Sequence, residues 1–378
     1  MKIRLFTPGP VEIPVRILRA LSAVPPHHRT DAFRDVMRRV TADLQWLHGT
    51  QGEVFLLSAS GTGGMEAAVI NLLAPEDKVL VATAGKFGDR WVSILKAYGV
   101  AHETLAWEWG KTIDPKSIEA ALTKDPSIRA VFTTHSETST GCVHDLEAIA
   151  KLTRPRDVLL VVDGITSVGV HPLPQDAWGV DVVVSGSQKG MMIPPGIATV
   201  SLAPWRASAI EGRKLPRFYF DLNKARKSLP QGETAFTPPV SLVLALQESL
   251  AMMKEEGLDA LHARHRRLAL AVQAGATALG CTTFAERPAH SVTSLMPPPG
   301  IDAPAIVKRL RDTHGMVVAG GQDALKGKIF RIGHMGAYDL ADVHAVIGAL
   351  DETVATLGGP AVLANVPAAA IREAWQTA

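Results

Sequence analysis

Residues 180–190, which read VDVVVSGSQKG, decide the fold that this sequence predicts. The β-branched run at 180–184 is typical of a buried strand. Lys189 follows it, between two glycines and among small polar residues, whereas most lysines lie on solvated helix faces. Open α/β sheets bind their ligands beyond the carboxyl ends of the strands. Lys189 is therefore a candidate for a Schiff base with a carbonyl compound. A lysine in a surface loop is the alternative that this stretch alone leaves open.

Strands and helices alternate on both sides of this stretch. Short apolar runs predict strands at 54–57, 78–82, 104–107, 130–134, 158–162, 180–184 and 197–202. Helical spacing of apolar residues predicts intervening helices at 64–73, 90–98, 115–122 and 146–152. Continuous apolar strands that alternate with helices favour an α/β fold with a large, mostly parallel seven-stranded sheet covered by helices.

The pattern changes after residue 204. Residues 213–231 are polar and irregular, and helices are predicted at 240–256, 258–278, 303–314 and 340–357. Shorter strands are predicted at 292–296, 316–319 and 329–332. This favours a smaller C-terminal α+β domain. We divide the chain into an N-terminal segment (1–20), a large domain (21–257) and a small domain (258–378).

Composition narrows the class of protein. The 378 residues are 47% hydrophobic and 20% charged, with a net charge of +2. That balance indicates a globular protein and gives no basic field for a nucleic-acid partner. The sequence shows neither a signal peptide nor an apolar run long enough for a bilayer. The two cysteines have no metal spacing, so we expect a cytoplasmic protein with no metal site and no membrane partner.

A glycine-rich loop at residues 58–64, SASGTGG, joins a predicted strand to a predicted helix. Glycines let the backbone approach an anion, and the N–H groups of a helix start bind it. Ser60 and Thr62 add hydroxyl groups. The loop matches neither the Walker A pattern nor the dinucleotide fingerprint. A single phosphate is the better match, and a flexible turn is the alternative.

Three further loops suit a flat, charged ligand. Phe87, within GKFG at 85–88, is either a residue that stacks on a ring or a core residue. Residues 135–141, HSETSTG, are a dense run of donors or an ordinary turn. Asp163 ends an apolar strand, where a carboxylate needs a partner such as a protonated pyridine nitrogen. The alternative for Asp163 is the cap of a helix at 164–167. Taken together, the four loops and Lys189 match pyridoxal phosphate.

The chain resembles the class V, fold-type I pyridoxal-phosphate-dependent aminotransferases, and most closely the alanine/serine–glyoxylate aminotransferase family. The resemblance rests on TPGP at 7–10, SGSQK at 185–189 with PPG at 194–196, the spacing from Asp163 to Lys189, and RIGHMG at 331–336. It implies a fold-type I transferase whose N-terminal segment contributes to the active site and to the small domain. It also implies a homodimer with shared active sites.

The resemblance further implies a role for each motif residue. Lys189 would form the internal aldimine and Asp163 would hold the pyridinium nitrogen, so both are candidate catalytic residues. The other candidate cofactor ligands are Ser60, Gly61, Thr62 and Gln188 at the phosphate, Phe87 and Ile165 at the two ring faces, Thr138 at the ring hydroxyl, and Thr234 and Thr237 at the phosphate of the neighbouring subunit. Arg331 would bind the substrate α-carboxylate, with the backbone of Gly9 close to it.

These roles predict ping-pong transamination from a small amino acid to glyoxylate or pyruvate. Alanine and serine are favoured as donors because Arg331 is the one clear carboxylate anchor. Arg29 is the candidate second cation for a dicarboxylic donor such as aspartate, aminoethylphosphonate is another possible donor, and His334 is a further position that could shape specificity. The alternatives are a lyase or aldolase that cleaves a β-hydroxy amino acid, and a non-catalytic binding protein. Cys142 and Cys281 are interpreted as packing residues, which disfavours a cysteine desulfurase.

Overall fold

The computed structural model describes residues 2–360 and 365–377. The predicted domain ranges also include residue 1, residues 361–364 and residue 378, which lie outside the described residues. In the part of the chain that is described, no helix is long and apolar enough to cross a bilayer.

Short strands and longer helices alternate through the first half of the chain, as the apolar pattern predicts. The strands, in chain order, are β1 (Arg4–Leu5), β2 (Glu53–Ala59), β3 (Lys78–Thr83), β4 (Ala101–Ala106), β5 (Ile128–Thr134), β6 (Ser136–Glu137), β7 (Cys142–Val143), β8 (Leu159–Asp163), β9 (Val182–Gly186), β10 (Gly196–Leu202), β11 (Thr282–Thr283), β12 (Val292–Met296), β13 (Met316–Val317), β14 (Ala319–Gly320) and β15 (Phe330–Gly333). The α-helices are α1 (Val15–Leu21), α2 (Asp31–His48), α3 (Gly61–Leu72), α4 (Lys86–Ala97), α5 (Pro115–Lys124), α6 (Leu146–Thr153), α7 (Gln175–Trp178), α8 (Leu222–Ser228), α9 (Val240–Glu256), α10 (Leu258–Ala278), α11 (Ala303–His314), α12 (Leu340–Thr356) and α13 (Val366–Thr377).

The large sheet has seven strands in the order β2-β10-β9-β8-β5-β3-β4. Its central and distal strands run parallel, from β9 through β8, β5 and β3 to β4. Strand β10 is antiparallel to both β9 and β2. Strand β2 therefore points the same way as β9, so that β2, β5, β8 and β9 all end at one edge of the sheet. This confirms the predicted α/β fold with a mostly parallel seven-stranded sheet, in which the antiparallel direction of β10 is a feature that the prediction did not include.

The sheet is covered on both faces, because successive side chains of a strand point to opposite sides. Leu160 and Val162 of β8 join one buried cluster with α2, α5, α6 and α9. Leu159 and Val161 join the opposite cluster with α3 and α4. Strands buried on both faces are continuous apolar runs, which is the pattern that made them recognisable in the sequence.

A second, smaller sheet with the order β11-β12-β15-β14 forms the C-terminal part. Helices α10, α11 and α12 share a buried cluster with it, and α13 packs on α10. The first residues of the N-terminal segment belong to this part as well, whereas α1 packs on α9 of the large domain. Strand β1 pairs in parallel with β13, and Phe6 is buried in the same cluster.

We propose to keep the domain division at Gly257. Helix α9 ends at this residue and α10 begins directly after it. The two helices have different partners: α9 packs on α1 and α2, whereas α10 packs mainly on α12 and α13. Gly257 has a φ of +84°, which favours glycine and allows the abrupt change of direction.

Several element boundaries differ from the prediction. Helix α3 begins at Gly61 rather than residue 64, and α4 begins at Lys86 rather than residue 90. The irregular stretch at 213–231 contains the short helix α8. The strand predicted at 316–319 is two short strands, because β13 pairs with β1 whereas β14 pairs with β15.

Candidate active site

The candidate active site is a cavity at the edge of the large sheet where β2, β5, β8 and β9 end. Loops that follow these strands and the first turn of α4 form its walls. The lining residues are Ser60, Gly61, Thr62, Phe87, Arg90, Thr138, Asp163, Ile165, Thr166, Gln188 and Lys189. All of them except Arg90 and Thr166 were candidates from the sequence, so the fold brings residues from five separate segments of the chain into one place.

Lys189 is buried in this cavity, with 9% of its surface exposed. Its Nζ donates a hydrogen bond to the carbonyl oxygen of Pro8. Burial lowers the pKa of Lys189 to about 8, because the charged amine is desolvated. Gly9 lies directly against this amine: it has a φ of +106°, and a Cβ placed there would be 2.5 Å from Nζ. A glycine is therefore required for the N-terminal segment to approach Lys189 so closely.

Asp163, at the end of β8, is also buried, and its Oδ1 accepts a hydrogen bond from the backbone N–H of Ile165 at 2.9 Å. Burial raises the pKa of Asp163 to about 7. A cationic group beside the carboxylate would reverse this by favouring the ionised form. Residues 165–170 form turns, so Asp163 does not cap the helix that was the alternative for residues 164–167. The site therefore presents a buried acid suited to a protonated ring nitrogen.

The start of α3 forms the anion-binding end of the cavity. Ser60 precedes the helix without making a side-chain capping bond, which leaves its first N–H groups for a ligand. Gly61 packs so tightly that an added Cβ would lie 2.4 Å from Cδ1 of Ile165. Gln188 also lines the cavity, and its side-chain amide nitrogen is the group that could donate to an anion. Together with the amine and the carboxylate, these groups fit the phosphate, aldehyde and ring nitrogen of pyridoxal phosphate.

Phe87 is placed at the cavity by a buried glutamate. Glu137 is fully buried, and its Oε2 accepts from the backbone N–H groups of Phe87 and Gly88, both at 3.0 Å. Its Oε1 accepts from the N–H and the hydroxyl of Ser139 at 3.0 and 2.5 Å. The same hydroxyl accepts from the N–H of Lys86 at 3.1 Å. The loop after β5 thus caps α4 and fixes the residue predicted to stack on the ring.

Arg331 lies next to the same loop. Its Nη1 donates to the carbonyl oxygen of Thr138 at 2.9 Å, and its Nε and Nη2 donate to that of Gly320 at 3.0 and 2.8 Å. Burial lowers the pKa of Arg331 to about 10. The Thr138 hydroxyl donates to that of Thr166 at 3.1 Å. The guanidinium is therefore held by neutral backbone oxygens, which leaves its charge for an anionic ligand.

Four of the candidates, Thr234, Thr237, Arg29 and His334, are not brought to this cavity. Thr234 and Thr237 line a second cavity, together with His28 and Arg29. His334 is buried in the small domain, where its Nε2 lies 2.9 Å from the hydroxyl of Thr293. Within one chain, neither group lines the cavity of Lys189.

Sequence reasoning missed Arg90, Thr166, Glu137 and the carbonyl of Pro8. One signal was available for Arg90. If α4 begins at Lys86 instead of residue 90, Phe87 and Arg90 are three residues apart in the helix and share a helix face. The Pro8 carbonyl and the Glu137 contacts had no local signal, because their partners are distant in the chain.

The cysteines are apart from this chemistry. Cys142 and Cys281 are both buried, and burial raises the pKa values of their thiols to about 11 and about 12. Such thiols stay protonated at neutral pH and are weak nucleophiles. Within residues 2–360 and 365–377, no group of three His, Cys, Asp or Glu side chains could hold a metal ion.

Comparison with known proteins identifies a family whose sequence pattern this chain matches. The family model for class-V aminotransferases matches residues 20–342. An L-aspartate–glyoxylate aminotransferase of Paracoccus denitrificans is 36% identical over 99% of this chain and 96% of its own length. A crystal structure of an alanine–glyoxylate aminotransferase from Nostoc superposes with a TM-score of 0.90 and 31% identity, and covers 94% of this chain and 96% of its own.

A further similar protein bears a different name. The soluble hydrogenase small subunit of a Synechococcus strain is 44% identical over 94% of both chains. That name belongs to the relative. The lysine, carboxylate and anion-binding loop described above are the features of this chain that carry chemistry.

Proposed function

Because this chain belongs to the class V aminotransferase family, we propose that it moves an amino group from alanine or serine to glyoxylate or pyruvate in a ping-pong reaction. Members of this family are aminotransferases that depend on pyridoxal phosphate, and this chain is therefore a pyridoxal-phosphate-dependent aminotransferase as well. The observation that carries the proposal is that a buried lysine and a buried aspartate line one cavity, while buried Arg331 donates a hydrogen bond to Thr138 of the same lining.

Three residues of the chain would do the chemical work. When bound, pyridoxal phosphate supplies an aldehyde carbon and a ring that accepts electrons from the substrate Cα. Lys189 would hold the cofactor and then, with its lowered pKa, take the proton from the substrate Cα through Nζ. Asp163 would stabilise the positive charge on the ring nitrogen. Arg331 would pair with the α-carboxylate and orient the Cα–H bond toward Lys189.

We also propose that two chains share their active sites. Thr234 and Thr237 line a cavity apart from Lys189, which suits residues that serve a neighbouring subunit. An exposed aromatic group lies beside them: Phe218 is 71% exposed, and the rings of Tyr219 and Phe236 stack at 5.0 Å. Apolar surface of this kind is typical of a contact with another chain.

Aspartate is a second candidate donor. Arg29 lines the same cavity as Thr234 and Thr237, so a partner that brought these threonines to the cofactor would bring a guanidinium with them. A second cation is what the distal carboxylate of aspartate needs. The Paracoccus relative, named an aspartate–glyoxylate aminotransferase, supports the same donor.

Half-reactions of the purified holoenzyme test these donors. Alanine, serine and aspartate are mixed separately with the enzyme, and conversion of the visible cofactor absorbance to the amine form is followed. We expect alanine or serine to react fastest, and a strong preference for aspartate would overturn that choice. If Arg29 binds the distal carboxylate of aspartate, Arg29→Gln should slow the half-reaction with aspartate and leave those with alanine and serine unchanged. In steady state, ping-pong transfer gives parallel double-reciprocal lines, and intersecting lines would contradict it.

Replacement of the lysine tests the chemistry itself. Lys189→Ala should lose turnover and the visible absorbance of lysine-bound cofactor, because no other residue lining the cavity has an amine. Absorbance spectra and an amino-acid assay check both results. The matched control is Lys96→Ala on the exposed face of α4, which should leave both unchanged. Normal turnover in the Lys189 variant would refute the assignment.

A further inference from the structure

Arg90 is a cation in the cofactor cavity to which neither the sequence motifs nor the comparisons give a role. It lies in the second turn of α4 and lines the cavity together with Ser60, Gly61 and Thr62. Its Nη1 donates a hydrogen bond to the hydroxyl oxygen of Thr62 at 3.1 Å. This hydroxyl belongs to the anion-binding loop, so the guanidinium lies at the end of the cavity suited to a phosphate.

The guanidinium is not neutralised by the protein. Among the described residues Arg90 forms no ion pair with an aspartate or a glutamate. Its neighbour in sequence, Asp89, instead accepts a hydrogen bond from the hydroxyl of Thr83 at 2.8 Å. Asp163, in the same cavity lining, interacts with the charge of Arg90 only at a distance, which works against the rise of the Asp163 pKa. A half-buried arginine without a direct ion pair leaves its guanidinium for a ligand.

Apart from Arg90, the groups at the anion-binding end of the cavity carry no positive charge. The candidate phosphate ligands of this chain, Ser60, Gly61, Thr62 and Gln188, are all uncharged, and so are Thr234 and Thr237. A phosphate dianion that leaves water for such a site needs compensating charge, since hydrogen bonds from neutral groups replace only part of its hydration. Besides Lys189, which is committed to the aldehyde, Arg90 is the cation in the cavity lining.

We propose that Arg90 is the counter-charge for the cofactor phosphate and binds it together with Thr62. The inference rests on the cofactor site described above and adds a ligand to it. Two other roles for Arg90 make different predictions. Its guanidinium carbon also lies 4.8 Å from the ring centroid of Phe87, so it is near enough to support that ring. It is also near enough to the cavity to meet a substrate carboxylate.

The test compares two cofactor forms that differ only in the phosphate. Apoenzyme of the wild type, Arg90→Gln and Arg90→Lys is titrated with pyridoxal phosphate and with pyridoxal, and dissociation constants are read from absorbance. We expect Arg90→Gln to weaken pyridoxal phosphate binding about 10- to 100-fold while pyridoxal binding changes little. Arg90→Lys should recover part of the loss. The matched control is Lys96→Gln, which removes one positive charge from the exposed face of the same helix.

Each other outcome overturns the proposal. Equal weakening of both compounds would make Arg90 a support for Phe87. Unchanged binding of both, with a raised KM for amino acids, would make it a substrate ligand. Thermal melts of the apoenzyme variants without ligand separate these results from misfolding. Because the titration uses no amino acid, its outcome is independent of whether the proposed donor pair is right.

Discussion

Lys189 is buried between groups of opposite charge, and its hydrogen bond goes to a backbone carbonyl, that of Pro8. Desolvation disfavours the charged amine most strongly, Arg331 and Arg90 act in the same direction, and together they outweigh Asp163, which favours the charge. The net result is a lysine whose pKa falls to about 8. Such an amine is partly neutral at physiological pH, which a nucleophile and a base both require.

This shift predicts how cofactor attachment depends on pH. Only the neutral amine attacks an aldehyde, so the rate constant should rise with pH and level off above about pH 8. For a lysine with the ordinary pKa of 10.5, the rate constant would keep rising until about that pH. Stopped-flow absorbance after mixing apoenzyme with pyridoxal phosphate measures the rate.

Free Nα-acetyl-lysine, mixed with the same cofactor, is the control for the intrinsic chemistry and should show the later plateau. An enzyme rate that continues to climb about tenfold per unit from pH 8 to pH 10 would contradict a lowered lysine pKa.

Among the individual site residues, the sequence predicted those that lie at the ends of strands. Lys189 and Asp163 follow apolar runs, and parallel strands bring such ends to one edge whatever the loops do. Arg90 and Glu137 were not predicted as site residues. Arg90 contacts Thr62, and Glu137 contacts Phe87 and Gly88, in other segments of the chain. No local periodicity encodes contacts of that kind.

Helix α4 shows how one element depends on another. Apolar spacing placed its start at residue 90, but the helix begins at Lys86 because Glu137 and Ser139 accept the N–H groups of its first turn. Helix starts normally need an acceptor close in sequence, such as Ser, Thr or Asp at the cap. Gly85 stands at that position here, so the local signal is missing. The capping groups are instead supplied by the loop after β5.

Glu137→Gln should therefore weaken both the fold and the cofactor site. The amide keeps one acceptor oxygen, so either the N–H groups of Phe87 and Gly88 or that of Ser139 lose their partner. An orphaned buried N–H costs about 1–3 kcal/mol, and the free energy of unfolding should fall by that amount. Because α4 carries Phe87, visible circular dichroism of the bound cofactor should weaken as well. Denaturant titration and the dichroism spectrum give the two measurements.

Glu147→Gln is the matched control, since Glu147 pairs with Lys151 on an exposed helix face. It should cost less than about 0.5 kcal/mol and leave the dichroism intact. A Glu137→Gln enzyme with wild-type stability and dichroism would show that the buried carboxylate does not position α4. Loss of stability with unchanged dichroism would limit Glu137 to a structural role.

For the whole molecule, the apolar pattern predicted the large sheet, its helical layers and the second, smaller sheet. It also predicted α10 and α11 with their observed bounds. It did not predict how Met316 to Gly320 divide, because one half pairs with β1 and the other with β15. Such pairings depend on segments that are distant in the chain. For the same reason, the sequence did not predict that Thr234 and Thr237 lie outside the Lys189 cavity within one chain.

Shared active sites predict recovery of activity on mixing two inactive variants. Lys189→Ala lacks the amine that would hold the cofactor. Thr234→Val/Thr237→Val should lack the hydroxyl groups that would bind the cofactor phosphate in the neighbouring subunit. A mixed dimer contains one site with both residues intact. After unfolding and refolding of an equimolar mixture, activity should approach roughly a quarter of wild type, if pairing is random in a two-fold dimer.

The control refolds each variant alone, which should remain inactive. A mixture no more active than the sum of its parts, with dimers present by analytical ultracentrifugation, would show that each site is complete within one chain. A monomeric protein would exclude sharing altogether.

The pairing of β1 with β13 bears on how the protein is made. The ribosome releases β1 near the start of synthesis, but its partner at Met316–Val317 emerges roughly 300 residues later, after the large domain can already have folded. The carbonyl of Pro8 and the backbone of Gly9, which meet Lys189, follow β1 directly. A nascent chain can thus complete its sheet while the lysine still lacks these neighbours. Lys189 acquires its final surroundings only when the last part of the chain pairs with the first.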